Sequence, residues 1–521
     1  MWSTFELPRS SDGVCNCADF HSLLTITLCC FLVILWLAKE KKGKQVAFKT
    51  KQRSIPGPGN YLFGSIANVL ALRNMKTALS VLDGWTRKYG PIYRVQFGHK
   101  PFIFLNSPEY VQKLLSSTDM NHYGKGFIYE PLRAVWKDGL VVSTGEKWKF
   151  RRRLLSKHFF SYKTILSYMQ IFNEEADILV QTLGETNTGK GVGIDRLLKI
   201  AILNAIARAA LGIQVTDIES VEKLEGDIRL TELISRMKEV ATKRVMSPWL
   251  LFDFIWQFHP LSKVSQFISD LVWKHAKRAI AEDELANGEK NGSLKDDLLG
   301  AGVSTEGVLE ETATLMSAGY ETTEGVLQFL LFFLATHPHH QKLCREEVDS
   351  LFQDADDFIH NKGIHYQDLA KLKHLEMCVY ETLRHFPIVF CIMRKLKAPL
   401  QLEADLELAT GTEVAIYISG IHKDPIHFTN PKDFIPERFS PDENQRRHPY
   451  AFIPFSAGPR KCIGHKFAIM EMMCLTAKII RYYNISTTDK LEDIVVLPYI
   501  TLTLEKPINL VFNKLRPISE P

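Results

Sequence analysis

A chain of 521 residues with 45% hydrophobic and 24% charged residues can bury a large core, which excludes disorder as the default and favours one big domain or two closely packed ones. The formal net charge of +5 is concentrated in the stretch Lys39 to Arg53, where Lys39, Lys41, Lys42, Lys44, Lys49, Lys51 and Arg53 face only Glu40. The remainder is near neutral, so the basic stripe of a nucleic-acid-binding domain is missing and no nucleic-acid partner is expected.

Nine cysteines, odd in number and without a C-x-x-C pair, suit a reducing compartment. They argue against a secreted disulfide framework and against a structural zinc site. Leu23 to Ala38 carries no charge and is rich in Leu, Ile, Phe and Val. Extended back to Phe20, it reaches about 30 Å at ~1.5 Å per residue, enough for a bilayer core. Glu6, Asp12 and Asp19 precede it and lysines follow it, the reverse of a cleaved leader. The positive flank places the residues after Lys39 in the cytosol. Residues 1–22 then form a short lumenal amino terminus, 23–38 a single-pass transmembrane anchor, 39–59 a basic linker with a Pro/Gly hinge at Ile55-Pro-Gly-Pro-Gly59, and 60–521 the folded body.

Ile92 to Phe97 and Phe102 to Leu105 read as a strand hairpin across Gly98-His-Lys-Pro101. From Ser107 to Thr382 apolar residues recur at three and four, so helices dominate. Two segments interrupt them. Ala286 to Ser293 is polar and Gly/Asn-rich, a loop. Pro248 to Trp256 is aromatic, either ordinary core or a membrane-facing lip of a substrate channel. A long helix is predicted from Glu306 to Thr336, started near Ser304 or Thr305 and stopped by His337-Pro338. Strand character at Glu413 to Ser419 and Tyr499 to Leu504 predicts a second small sheet late in the chain. The fold class is therefore mainly α with small β-sheets.

The segment with the most chemistry is Phe455-Ser-Ala-Gly458-Pro-Arg460-Lys-Cys462-Ile-Gly464, followed by a helix-forming run. A thiolate that binds iron needs a tight loop that brings backbone N–H groups to the sulfur, and a helix N-terminus to stabilise its charge. Gly458 and Gly464 permit the turn, and Arg460 suits a haem propionate because guanidinium binds carboxylates through two donors. Five fixed positions of this kind match by chance on the order of 10⁻⁴ times in such a chain.

Phe455, Gly458, Arg460, Cys462 and Gly464 match the haem-binding signature of the cytochrome P-450 superfamily, and the chain resembles that family over nearly its whole length. The resemblance implies that fold, a haem b whose iron takes the Cys462 thiolate, and oxygen activation helped by sulfur's electron donation. Glu381-Thr-Leu-Arg384 resembles the family's E-x-x-R motif, with Arg438 in Pro436-Glu-Arg-Phe439 as the third member of a buried network. Ala318-Gly-Tyr-Glu321-Thr322-Thr resembles its oxygen-activation motif. Glu321 and Thr322 would relay protons there, and Gly319 would leave space for dioxygen. Trp148 and Arg152 resemble its W-x-x-x-R pair, which reaches a propionate, and Arg394 stands where relatives place another propionate-binding arginine.

Recognition segments for substrate map onto Tyr123–Leu132, Leu315 and Ala318, Ile388–Ile392 and Ile500–Leu502; their apolar character implies a lipophilic substrate. Trp148 to Phe160 and Phe455 to Glu471 are most similar to the animal group that contains fatty-acid omega-hydroxylases, especially its insect members. Many of those carry a glutamate esterified to haem. The matching position here is Ala318, which implies no covalent link and weakens a claim of terminal fatty-acid hydroxylation.

The function implied is a monooxygenase of the endoplasmic reticulum membrane. It would use O2 and electrons from NADPH-cytochrome P-450 reductase, with a b-type cytochrome as a second donor. Lys147, Lys149, Arg151, Lys461 and Lys466 would form a basic face for the acidic reductase. Alternatives are a haem-thiolate isomerase or dehydratase, against which Glu321-Thr322 argues, and a non-catalytic haem-binding protein, against which the relay and the anchor argue.

Overall fold

Period-two patterning near the amino-terminal side becomes an antiparallel hairpin in the computed structural model, β1 (Ile92–Phe97) against β2 (Lys100–Leu105), with Tyr93 opposite Phe104. The structure describes residues 54–517 apart from 59–60, 98–99, 187–190, 212–229, 287–293 and 353–362. The expected anchor, most of the basic linker and the polar loop after Ala286 lie outside the described residues. Among the described residues no helix is long and apolar enough to cross a membrane.

The helices that frame the site are α1 (Gly145–Phe160), α2 (Tyr162–Thr186), α3 (Asp195–Leu211), α4 (Leu230–Val245), α5 (Pro260–Ala286), α6 (Thr305–Thr336), α7 (Pro338–Leu351), α8 (Lys373–His385) and α9 (His465–Tyr482). Helix α6 runs for 32 residues, about 48 Å at the usual rise. Ser304 caps it, its side chain accepting from Gly307 N–H at 3.2 Å. His337-Pro338 ends it as the sequence predicts, because proline offers no N–H to continue the ladder. Leu327, Leu330, Leu331 and Leu334 are fully buried around its carboxyl-terminal half. A helix apolar on every side belongs at the centre of a large core, and α6 packs on α3, α5 and α8, while α9 lies along α2.

Strands β3 (Cys391–Lys395) and β4 (Glu413–Tyr417) correct the expected late sheet. β4 joins the early hairpin instead, in the order β1-β2-β4-β3, parallel to β2 and antiparallel to β3. All five β4 residues are buried, as an inner strand covered on both faces requires. Ser419, expected at the end of that strand, lies in a helical turn. The late hairpin is β5 (Val496–Pro498) with β6 (Leu502–Leu504).

The aromatic segment Pro248–Trp256 resolves in favour of the surface. Among the described side chains of this segment only Leu250 is buried, whereas Trp249 is 45%, Phe252 52%, Phe254 73% and, just beyond, Phe258 75% exposed. Gly319 also has a packing reason not foreseen in the sequence. A Cβ there would come within 3.1 Å of Ile206 on α3, so the missing side chain admits a neighbouring helix.

Candidate active site

The chain before α9 closes on itself through Cys462 N–H, which donates to Phe455 O at 2.9 Å. This tight loop needs left-handed backbone at Ser456 (φ 59°) and Gly458 (φ 67°). At Gly458 a Cβ would fall 1.7 Å from Leu115 O, so only glycine fits. Gly464 stands at the N-cap of α9, and its N–H is bonded to the Cys462 sulfur. Cys462 is accessible yet surrounded by protein atoms, so its sulfur faces an internal space. Burial raises its pKa; Gly464 N–H, Arg152 and Lys461 pull the other way and do not win. A bare thiol stays protonated there, and a metal cation at the sulfur would displace that proton.

Four cations converge beside this loop. Arg460 donates to Ser143 O at 2.8 Å and lies 3.9 Å from the Trp148 ring centroid, while its Nε is buried without a partner. Burial first, then Arg394 and Arg152, push Arg460 down to about 9. Arg394 is 3% exposed and donates to Met393 O at 2.9 Å. Lys125 sits 4.4 Å over the Tyr129 ring; burial, Arg394 and Arg460 hold its pKa well below the lysine range. Arg152 acts on both Arg460 and Cys462. Buried positive groups that repel one another are costly unless an anion joins them, and two carboxylates next to an iron-binding sulfur supply that anion. The residues present therefore fit haem b. Lys125 was not singled out in the sequence, since a lone lysine between two glycines carries no spacing signal.

On α6, Thr322 donates to Ala318 O at 2.8 Å and Thr323 to Gly319 O at 3.0 Å. Glu321 pairs with Lys238 of α4, whose Nζ also donates to Thr501 at 3.1 Å and Thr503 at 2.8 Å in and beside β6. Burial raises the Glu321 carboxyl, opposed by Lys238 and Lys199; burial pushes Glu324, one turn on, up to about 7. Glu321, Glu324, Lys238 and Thr503 line a cavity of about 270 Å³ with Lys199 and Ser235. Lys238 was also missed, because nothing in α4 marks it before the fold brings it to α6. The expected substrate segments include much packed core: Leu315, Ile388, Ile392 and Leu502 are all buried, and Leu502 N–H donates to Ile388 O at 2.8 Å.

Glu381, Arg384 and Arg438 meet. Arg384 donates to both oxygens of Glu381 at 2.8 Å, Arg438 Nε to Glu381 Oε1 at 3.3 Å, and Ile435 N–H to the same oxygen at 2.9 Å. The first two side chains are fully buried. Arg384 also ties His422 O, Pro431 O and Asp433 O. Burial raises Glu381, but its bonds from Arg384 and His385 leave it below the usual carboxylate range.

The expected basic face is corrected at two of its five members. Arg151 is buried, donating to Gly307 O at 2.8 Å and lying 3.4 Å from Glu311. Lys147 pairs with Glu310 at 2.8 Å and Asp138 at 3.1 Å. Both serve to join α1 to α6, and only Lys149, Lys461 and Lys466 remain exposed.

A cysteine loop at a helix N-terminus, flanked by unmatched buried cations, defines the class of haem-thiolate proteins. The chain belongs to the cytochrome P450 family, whose profile matches residues 56–512. It is 29% identical to cytochrome P450 4c21 of Blattella germanica over 95% of this chain and 99% of that one. It is 31% identical to cytochrome P450 4V2 of Mus musculus over 78% of each chain. With the probable cytochrome P450 4ac1 of Drosophila melanogaster it shares 31% over 88% of this chain and 90% of the relative. The protein is thus a cytochrome P450 monooxygenase that takes haem b through a cysteine thiolate, without a covalent link.

Glu381→Ala is expected to strand two buried guanidinium groups, a loss of about 3–5 kcal/mol. Haem content per polypeptide should drop severely; normal haem loading in that variant would contradict a structural role for the network.

Proposed function

We propose that Cys462 is the axial ligand and that Arg152, Arg394, Arg460 and Lys125 hold the two propionates, with Trp148 supporting Arg460. The observation that carries this reading is the set of buried, mutually repelling cations beside the Cys462 sulfur. Phe455, Gly458 and Gly464 shape the loop, and the Glu381–Arg384–Arg438 network fixes the chain that leads to it. Ala318 has no carboxylate to esterify, in line with a haem held by these contacts alone. When bound, haem supplies the activation of O2 and the insertion of one oxygen atom into a lipophilic substrate.

The chain's own part in that chemistry is to position substrate and move protons. Glu321, raised by burial, can hold a proton, and its pairing with Lys238 connects it to the polar cavity lined by Lys199. Turning from Lys238 toward Thr322 would pass a proton to the hydroxyl that now bonds Ala318 O.

The 1–22, 23–38, 39–59 and 60–521 division and the endoplasmic reticulum location belong to the same proposal, with the 60–521 body cytosolic. Exposed Trp249, Phe252, Phe254 and Phe258 support a membrane-facing surface on that body, since aromatic rings favour the bilayer interface. Electrons would come from NADPH-cytochrome P-450 reductase, with a b-type cytochrome as second donor. The exposed Lys149, Lys461 and Lys466 would offer the reductase a basic face.

Cys462→Ala should abolish the thiolate carbon monoxide difference band and turnover; a normal band would remove the ligand assignment. Thr322→Ala should divert reduced oxygen to peroxide while haem content is kept, and product formed per NADPH equal to wild type would make Thr322 an ordinary helix residue. Reductase-dependent NADPH oxidation, stimulated by lipophilic ligands that shift the haem spectrum, tests the whole reading. Its rate should fall as salt rises, and indifference to ionic strength would discard the basic face.

A further inference from the structure

We propose that His340, His374 and Glu437 form a site for a divalent transition cation, zinc foremost, where α7, α8 and the turn Pro436–Phe439 meet. His340 Nδ1 and His374 Nε2 are 3.0 Å apart, and a Glu437 oxygen lies 3.8 Å from His340 Nδ1. All three ligand atoms fall within 4.8 Å of one another. Two nitrogens bound to tetrahedral zinc at about 2.0–2.1 Å stand about 3.3 Å apart. The two rings need to separate by only a few tenths of an ångström to accept the ion. Two imidazoles and one carboxylate, with a fourth position for water, is a ligand set zinc commonly takes.

Rigid elements hold the ligands. Glu347 of α7 accepts from His374 N–H at 2.7 Å and Leu375 N–H at 3.1 Å, which locks the start of α8 against α7. The His340 and His374 rings stack at 5.2 Å. The Glu437 side chain is 54% exposed, which leaves an entry path and a water position on that side. Cys344 and Cys378 lie beneath, also near His374. Both are fully buried in the apolar core, without the solvent access that an incoming ion needs.

Bound zinc would tie Glu437 to α7 and α8, and the next residue, Arg438, reaches Glu381 on α8. The ion would then brace the same turn that the buried network holds. The site is independent of the proposed substrate, reductase and proton route.

The test uses full-length, haem-loaded protein in detergent, stripped with a chelator and dialysed against Zn²⁺. Wild type should retain one zinc equivalent that His340→Gln and Glu437→Gln each lose or bind roughly tenfold or more weakly. The zinc X-ray absorption edge should report only nitrogen and oxygen neighbours at about 2.0–2.1 Å. Zinc should raise the thermal midpoint of wild type and not of the variants. Haem content and the carbon monoxide band, unchanged in both variants, show that they fold. Equal zinc in wild type and variants, no retained zinc, or sulfur neighbours at the zinc edge would each overturn the site.

Discussion

Charge burial next to one sulfur is the constraint on which the rest of this structure depends. Arg460, Arg394 and Lys125 are withdrawn from water and face one another more than they face any carboxylate that acts on them. Each desolvated charge costs several kcal/mol unless a partner offsets it. In the proposed reading the propionates of haem would be the matching anions, and its iron the cation that displaces the Cys462 proton. On that proposal cofactor and pocket would complement each other in both signs of charge.

The surrounding architecture keeps that arrangement in place. Helix α6 receives Leu140 N–H at Glu311 and Trp136 Nε1–H at Ser317, so the segment whose carbonyls anchor Arg460 is itself fastened to the central helix. Glu311 is pushed up to about 7 by burial, with Arg151 opposing. A basic residue expected on the surface turns out to be an internal brace, because the i, i+4 position on α1 that points at α6 is the one Arg151 occupies.

Much of the fold was legible from local pattern. The bounds of α6 follow from Ser304 and His337-Pro338, and the first hairpin from alternation. The residues of the Cys462 loop were legible too, since a loop that needs glycine at φ 67° leaves its mark in the sequence. Placement of β4 was not legible: a strand of five buried residues has no polar face to show which sheet it joins. Lys125, Lys238 and the role of Gly319 were equally silent. Each acquires meaning from a partner 113 to 269 positions away in the chain: Lys125 from Arg394, Lys238 from Thr503 and Gly319 from Ile206.

The sequence alone determined the chemistry class, because the glycine-flanked cysteine loop, the capped central helix and the E-x-x-R pair are built from neighbours within a few turns, where spacing dictates geometry. Tertiary structure decided which charges are buried together, which aromatic residues face solvent, and that two histidines and a glutamate from three separate elements converge. Those outcomes depend on desolvation and packing between distant segments, and no short-range pattern records them.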